Sequence, residues 1–214
     1  MLDWALRYAR MGLSVIPVRP DKRPYVAWAR YQKERATIEQ IEKWWGRWPQ
    51  AMIGLVTGEV SNLAVVDVDT PEGAKEINRY IPLNAIGPTA MTPSGGQHHY
   101  FQCPEGLGSN ARAIPGCDLR ANGGYVVAPP SRNGEGKLYQ WMEKLSILEM
   151  PLPELPREYI NAIAHDDKRG QKMTDDDKMR TDDDTFKLSF DQGNRDNSLF
   201  HIALALARGG CSYN

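Results

Sequence analysis

Asp67 and Asp69 stand one residue apart at the end of a run of apolar, mostly β-branched residues, Leu63-Ala64-Val65-Val66-Asp67-Val68-Asp69. Side chains alternate across a strand, so both carboxylates point to one face, roughly 6–7 Å apart at the backbone. Carboxylates so placed are hard oxygen donors that can share two divalent cations about 3.5–4 Å apart, the arrangement phosphoryl transfer uses for an attacking hydroxyl and a departing oxygen. The plainer alternative is a strand ending in solvated acids ahead of a helix. Thr70-Pro71-Glu72 supports that helix, with an N-cap followed by Pro at the first helical position.

A second segment, Thr92-Pro93-Ser94-Gly95-Gly96-Gln97-His98, adds anion chemistry. Ser94, Gly95 and Gly96 read as a tight turn whose backbone N–H groups can face a phosphate. Gln97 to Phe101 then reads as a strand, so His98 and His99 face opposite ways. His98 is the expected phosphate ligand, and His99 is expected to pack or cap locally. A third segment, Gly116-Cys117-Asp118-Leu119-Arg120, sets Asp118 and Arg120 on one strand face. Asn122-Gly123 is a hairpin signal, so Tyr125-Val126-Val127-Ala128 is expected to return as the partner strand before Pro129-Pro130-Ser131.

These residues need a scaffold, and the rest of the sequence supplies one. Asp3 can cap a first helix running to Gly12, and Leu13 to Val18 reads as a strand. Thr37 to Gln40 is a capping-box candidate. Ile38, Ile41, Trp44, Trp45 and Trp48 follow at helical spacing, read as a core-facing stripe in preference to a base-stacking platform. A helix is expected from Pro71 to Tyr80, strands and loops from Ala90 to Trp141, and a closing helix from Pro156 to His165.

The chain has 214 residues, 41% of them hydrophobic, enough for a domain of ordinary size with an appendage. No apolar run approaches a membrane span, and a cytoplasmic location is expected. Cys103, Cys117 and Cys211 form no Cys-x-x-Cys pair, which suits a reducing compartment, and no zinc is expected. The net charge of −1 divides into +1 over residues 1–160 and −2 over the remainder. DNA affinity should therefore be modest and salt-sensitive, carried by scattered residues such as Arg7, Arg10, Arg23, Arg30, Lys33 and Arg35. From Asp166 to Thr185 the sequence is charged and nearly free of apolar residues, which reads as a linker. Leu199, Ile202, Ala203 and Leu206 then mark a further helix. The expected division is a catalytic domain over 1–165, an acidic flexible linker over 166–190, and the start of a helical domain over 191–214.

Taken together, the acidic Asp-x-Asp strand, the Thr-Pro-Ser-Gly-Gly-x-His segment and the later acid before Gly-Gly-Tyr-Val-Val-Ala-Pro-Pro-Ser resemble the primase-polymerase domain of the archaeo-eukaryotic primase superfamily. Relatives of this kind occur in phage and plasmid replication proteins. Tyr8 to Val18, Lys22-Arg23-Pro24, Trp44 to Pro49 and Ile53 to Gly58 resemble the family's flanking segments, so the likeness covers most of residues 1–142. It implies an α/β (α+β) fold of two modules with an RNA-recognition-motif-like (RRM-like) catalytic sheet, followed by a C-terminal helical extension. The implied activity is template-directed nucleotidyl transfer from (d)NTPs, with DNA template and primer as partners and a helicase or further helical domain beyond. Asp67, Asp69 and Asp118 would be catalytic and would hold two Mg²⁺ or Mn²⁺ ions. Ser94, Gly95, Gly96, His98, Arg120, Lys22 and Ser131 would contact the nucleotide. Rival readings are a metal-dependent nuclease or nicking enzyme, for which His98-His99 is a poor match to His-x-His, and a catalytically silent DNA-binding module.

Overall fold

Two antiparallel sheets and four helices organise residues 1–170, which the computed structural model describes. In chain order the elements are α1 (Leu2–Arg10), β1 (Ser14–Val18), α2 (Ile38–Arg47), β2 (Met52–Val56), β3 (Ala64–Val68), α3 (Pro71–Ile77), β4 (Thr89–Met91), β5 (Gln97–Phe101), β6 (Asn110–Ile114), β7 (Cys117–Arg120), β8 (Tyr125–Ala128), β9 (Gln140–Trp141) and α4 (Arg157–Gly170). The smaller sheet has the order β1-β2-β8, and the larger has β6-β7-β3-β5-β4-β9. Within the larger sheet, β3, β4, β5 and β7 lie in the spatial order fourth, first, third, second. α3 and a short 3-10 helix, Leu83–Ala85, separate the first of these strands from the second. The link from β5 to β7 carries β6 in place of a helix.

Alternation along β3 divides its side chains between two cores. Ala64, Val66 and Val68 face α3 and α4, where Ile77, Phe101, Leu119, Tyr159 and Ile163 complete one buried cluster. Val65 faces the other way, into a larger cluster shared with β1, β2, β8, α1 and α2. Every residue of β1 and β2 is buried, so these strands read as continuous apolar runs. Burial of this kind, at about 25 cal/mol per Å² of apolar surface, is the dominant force holding the site's framework.

Local signals mostly act where the sequence places them. Thr37 Oγ1 accepts the Gln40 N–H at 3.2 Å, and Thr70 Oγ1 accepts the Gly73 N–H at 3.0 Å with Pro71 at the first helical position. Asp3 is not a cap: Met1 holds that position, and Asp3 sits in the first turn, where its charge complements the helix dipole. Ile41, Trp44 and Trp45 enter the core, but Trp48 is the C-cap of α2 and stays half-buried.

The Asn122-Gly123 hairpin does not form as expected. β8 pairs with β2 in the other sheet, not with β7. The turn is tied to the end of β2 instead: Thr57 N–H donates to Gly124 O at 3.0 Å, and Thr57 Oγ1 donates to Ala121 O at 2.6 Å. Asn122 is held by Glu59, whose backbone N–H donates to Asn122 Oδ1 at 3.0 Å. These bonds hand the chain from one sheet to the other. The closing helix α4 runs to Gly170, beyond the expected stop at His165. The remainder of the expected linker, the helical segment over 191–214 and Cys211 lie outside the described residues. Among the described residues no helix is long and apolar enough to cross a membrane.

Candidate active site

β3 runs between β5 and β7, and its register assembles the site. Asp67 is directly opposite His98 on one side and directly opposite Asp118 on the other. Cross-strand partners share a face with Cβ atoms about 4.5–5.5 Å apart, so the three side chains form one row. Val65 is opposite Arg120, which places Arg120 on the same face. Asp69 lies just past the strand end, exposed, with its N–H donating to Gly116 O at 3.1 Å. His98 Nε2 stands 3.3 Å from Asp67 Oδ1, and Arg120 Nη2 donates to Asp118 Oδ2 at 2.7 Å.

The charges in this row perturb one another. Burial raises the Asp67 pKa, but the contact with His98, reinforced by Arg120 and Lys22, outweighs it and holds the carboxyl below its usual value. Asp69 moves the opposite way: partial desolvation, then repulsion from Asp67 and Asp118, raises it despite His98 and Lys22. Adjacent carboxylates that resist joint ionisation have an electrostatic demand for cations.

A cavity of about 270 Å³ opens beside Asp67 and His98, lined by Lys22, Trp28, Asp67, His98, Arg120, Gly123, Gly124, Tyr125, Val126, Val127 and Tyr139, with Asp69 and Asp118 outside its lining. It brings three of the expected nucleotide contacts, Lys22, His98 and Arg120, to one space beside Asp67, one of the acids expected to be catalytic. Trp28, Tyr125 and Tyr139 also line it and were not singled out from the sequence. Nothing in a strand pattern marks Tyr139, which follows a loop far along the chain. Trp28 and Tyr125 meet edge to face at 5.0 Å, which could be seen only once the loop after β1 was placed against β8. Tyr139 lies 5.9 Å from the His98 ring, and its phenol is pushed up to about 12 by burial and then by Asp67 and Asp69.

Other expected contacts sit elsewhere. Ser131 is fully buried, and its Oγ accepts the Ile53 N–H at 2.9 Å, so it ties β8's end to β2 and does not reach the cavity. The Gly95 N–H donates to Thr92 O at 2.9 Å and the Gly96 N–H to Thr92 Oγ1 at 3.0 Å. Both amides are spent inside the turn, not aimed at an anion. The glycines serve shape instead: Gly95 has φ 87°, and a Cβ on Gly96 would stand 2.5 Å from Val68 O. Ser94 is exposed, with its Oγ 3.0 Å from Thr92 Oγ1.

Asp67, Asp69 and Asp118 form an all-oxygen donor set that suits Mg²⁺ or Mn²⁺. Asp67 Oδ1 is buried without a well-formed hydrogen bond, because the 3.3 Å approach of His98 is an ionic contact of poor hydrogen-bond geometry. Among the described residues no three His, Cys, Asp or Glu side chains already converge as a metal cluster. The reason is visible in the pairing: Asp118 is turned to Arg120 and Asp67 to His98. The donor chemistry and register fit hard cations, and binding them requires these carboxylates to exchange partners.

Residues 5–158 match the family model Prim-Pol, described as bifunctional DNA primase/polymerase, N-terminal. No curated protein matches the chain.

Proposed function

The chain belongs to the Prim-Pol family of bifunctional DNA primase/polymerase domains, and on that premise we propose that it is a template-directed nucleotidyl transferase that adds (d)NTPs to a primer on a DNA template. DNA and nucleotides are the substrates this membership indicates. The observation that carries the finer reading is the register that sets Asp67 opposite both His98 and Asp118, under a cavity that also holds Lys22 and Arg120. The strand order fourth-first-third-second favours an RRM-like catalytic sheet, with β6 and α4 in the place of its second helix.

In this reading Asp67, Asp69 and Asp118 hold the divalent ions. Two Mg²⁺ or Mn²⁺ ions, when bound, would supply Lewis-acid activation of a primer 3′-hydroxyl and charge neutralisation at the departing pyrophosphate. Lys22, His98 and Arg120 bind the triphosphate from three sides of the cavity. Arg120 turns from Asp118 to the phosphate oxygens, and Asp118 turns to the cation site. Fixed cations placed where negative charge develops stabilise the transition state without reorganisation. Ser94 belongs to the turn whose Gly96 abuts the end of β3, and Trp28, Tyr125 and Tyr139 exclude water and wall the sugar and base. A phage- or plasmid-type replication setting in the cytoplasm, with a helicase partner, is the expectation that accompanies this reading.

The test is a labelled primer on a DNA template, incubated with the full chain, nucleotides and Mg²⁺ or Mn²⁺. The wild type should extend the primer, and Asp67→Asn or Asp118→Asn should lower the rate by about 10³-fold or more. Mn²⁺ should raise the melting temperature of the wild type but not of either variant, because a ligand stabilises only the fold that binds it. Cleavage of the DNA, or extension that survives the double variant at saturating metal, would overturn the proposal.

A further inference from the structure

The basic side chains of this protein divide by what faces them. Arg30, Arg79, Arg120 and Lys137 pair with Glu34, Glu76, Asp118 and Glu135. Arg19 and Arg47 face aromatic rings instead. Arg19 Cζ lies 5.1 Å from the Tyr25 ring centroid, and Arg47 Cζ lies 5.1 Å from that of Trp48. Tyr25 and Trp48 stack on each other, 4.6 Å apart and inclined by 16°. The four side chains form one ladder, Arg19–Tyr25–Trp48–Arg47, joining the loop after β1 to the C-terminal end of α2. Both arginines are exposed, and among the described residues neither pairs with a carboxylate.

The loop that carries this ladder is itself ordered and basic. Arg19 N–H donates to Arg23 O at 2.8 Å, Lys22 N–H to Arg19 O at 2.9 Å, and Tyr25 N–H to Pro17 O at 2.9 Å. The single acid at its tip, Asp21, is used within the turn, accepting the Arg23 N–H at 3.0 Å. Three cations, Arg19, Lys22 and Arg23, therefore stand against one anion. The turn also touches the active site: Lys22 lines the cavity with Asp67, and its carbonyl accepts the Tyr125 hydroxyl at 2.7 Å.

We propose that the turn 19–23 and the Arg19–Tyr25–Trp48–Arg47 ladder form the surface along which a single-stranded nucleic acid, the template, runs to the active-site cavity. The inference rests on the polymerase reading above and adds to it a path for the template. Guanidiniums already held over rings have less freedom left to lose when they meet a phosphate. Their outer faces can stack on unpaired bases, which duplex DNA does not offer. Arg7 over Trp4 and Arg30 over Tyr31 lack this combination: neither ring stacks on another that carries a guanidinium, and Arg30 pairs with Glu34.

Binding of the full chain to a fluorescein-labelled single-stranded oligodeoxynucleotide, followed by anisotropy across a salt series, tests this. Arg19→Ser combined with Arg47→Ser should weaken binding about tenfold. It should also flatten the slope of log K against log salt by about 1.4, two phosphate contacts at about 0.7 each on a single strand. The nucleotide KM in primer extension should stay within about twofold, since neither residue lines the cavity. Arg79→Ser combined with Lys137→Ser removes equal charge from paired positions and should leave the slope unchanged. Unaltered affinity and slope in the first variant, or an equal loss in the second, would overturn the inference while wild-type extension left the parent reading intact. A wild-type chain that extends no primer would fail the parent reading instead, and one that binds no single strand would overturn this inference directly.

Discussion

His98 and His99 are neighbours in sequence, and the strand gives them different chemistry. His98 faces Asp67, whereas His99 is opposite Val66 and donates from Nε2 to Gln97 Oε1 at 3.0 Å. Burial, and then the charge of His98, pulls the His99 pKa down to about 4. His98→Ala should therefore raise the nucleotide KM about tenfold and lower kcat. His99→Ala should leave KM unchanged and cost about 1–2 kcal/mol of stability for a lost buried contact. The sign of the pH effect follows from the depressed value: His99 folds neutral, so its contribution is complete above the ordinary value of 6.5 and is lost as pH falls from there towards 4. Urea unfolding at pH 7 and pH 4.5 should show this loss, at most about 3 kcal/mol, and His99→Gln should reduce it. An equal KM effect from both alanine variants would show that the register is misread. The opposition of His98 and His99 was legible because strand alternation is a local rule. The burial of Ser131 was not, since it depends on β8 crossing to β2, a pairing no local pattern encodes.

At the scale of elements, the site depends on turns that let backbones approach closely. The Thr92–Gly96 turn lies against the end of β3, and a Cβ at Gly96 would also stand 3.2 Å from Thr92 Oγ1 and 3.5 Å from the Asp69 Cα. Gly96→Ala should push this turn away from Asp69. A shift near 1 Å can cost about 10²-fold in rate, with overpacking adding about 1–3 kcal/mol of destabilisation. Far-UV circular dichroism alongside primer-extension rates checks this: retained secondary structure with lost turnover is the expected result, and normal turnover would show that the turn does not position the acids. The glycines of this segment were legible as a turn, but their role was not. Whether a glycine N–H faces a ligand or closes its own turn depends on the hydroxyl of Thr92, which takes the Gly96 N–H. The strand β3 was readable from its apolar, β-branched run, and β5 and β7 from the segments around Ser94-Gly95-Gly96 and Gly116 that lead into them. Their order in the sheet was not, because neighbours in a sheet are set by long-range packing that leaves no periodic mark.

At the scale of the whole molecule, the described residues build two hydrophobic clusters. The larger one fills the space between the two sheets under α1 and α2, and the smaller seats α3 and α4 on the back of the six-stranded sheet. Tyr159 and Ile163 of α4 are buried in that second cluster, so the helix is part of the framework behind Asp118 and Asp67. The proposed catalytic unit should therefore include α4, whose helix runs to Gly170. A chain cut after Gly170 should fold cooperatively and extend a supplied primer at a rate within about threefold of the full chain, because it keeps both of the clusters described above. A cut before Arg157 removes α4 and opens the face covering Leu119 and Val66. Truncating such buried anchors costs about 3–5 kcal/mol each for aromatics, so this shorter form should unfold or lose activity. De novo priming makes a different demand. It must gather two free nucleotides and a template before any duplex exists, and it gains most from further chain that raises their effective concentration. The cut after Gly170 should therefore weaken priming on an unprimed template much more than extension. Comparing both truncations with the full chain on primed and unprimed templates, with thermal melts alongside, separates the two roles. Equal priming by the 1–170 form would show that the two-sheet unit initiates alone and that residues 171–214 act in some other step.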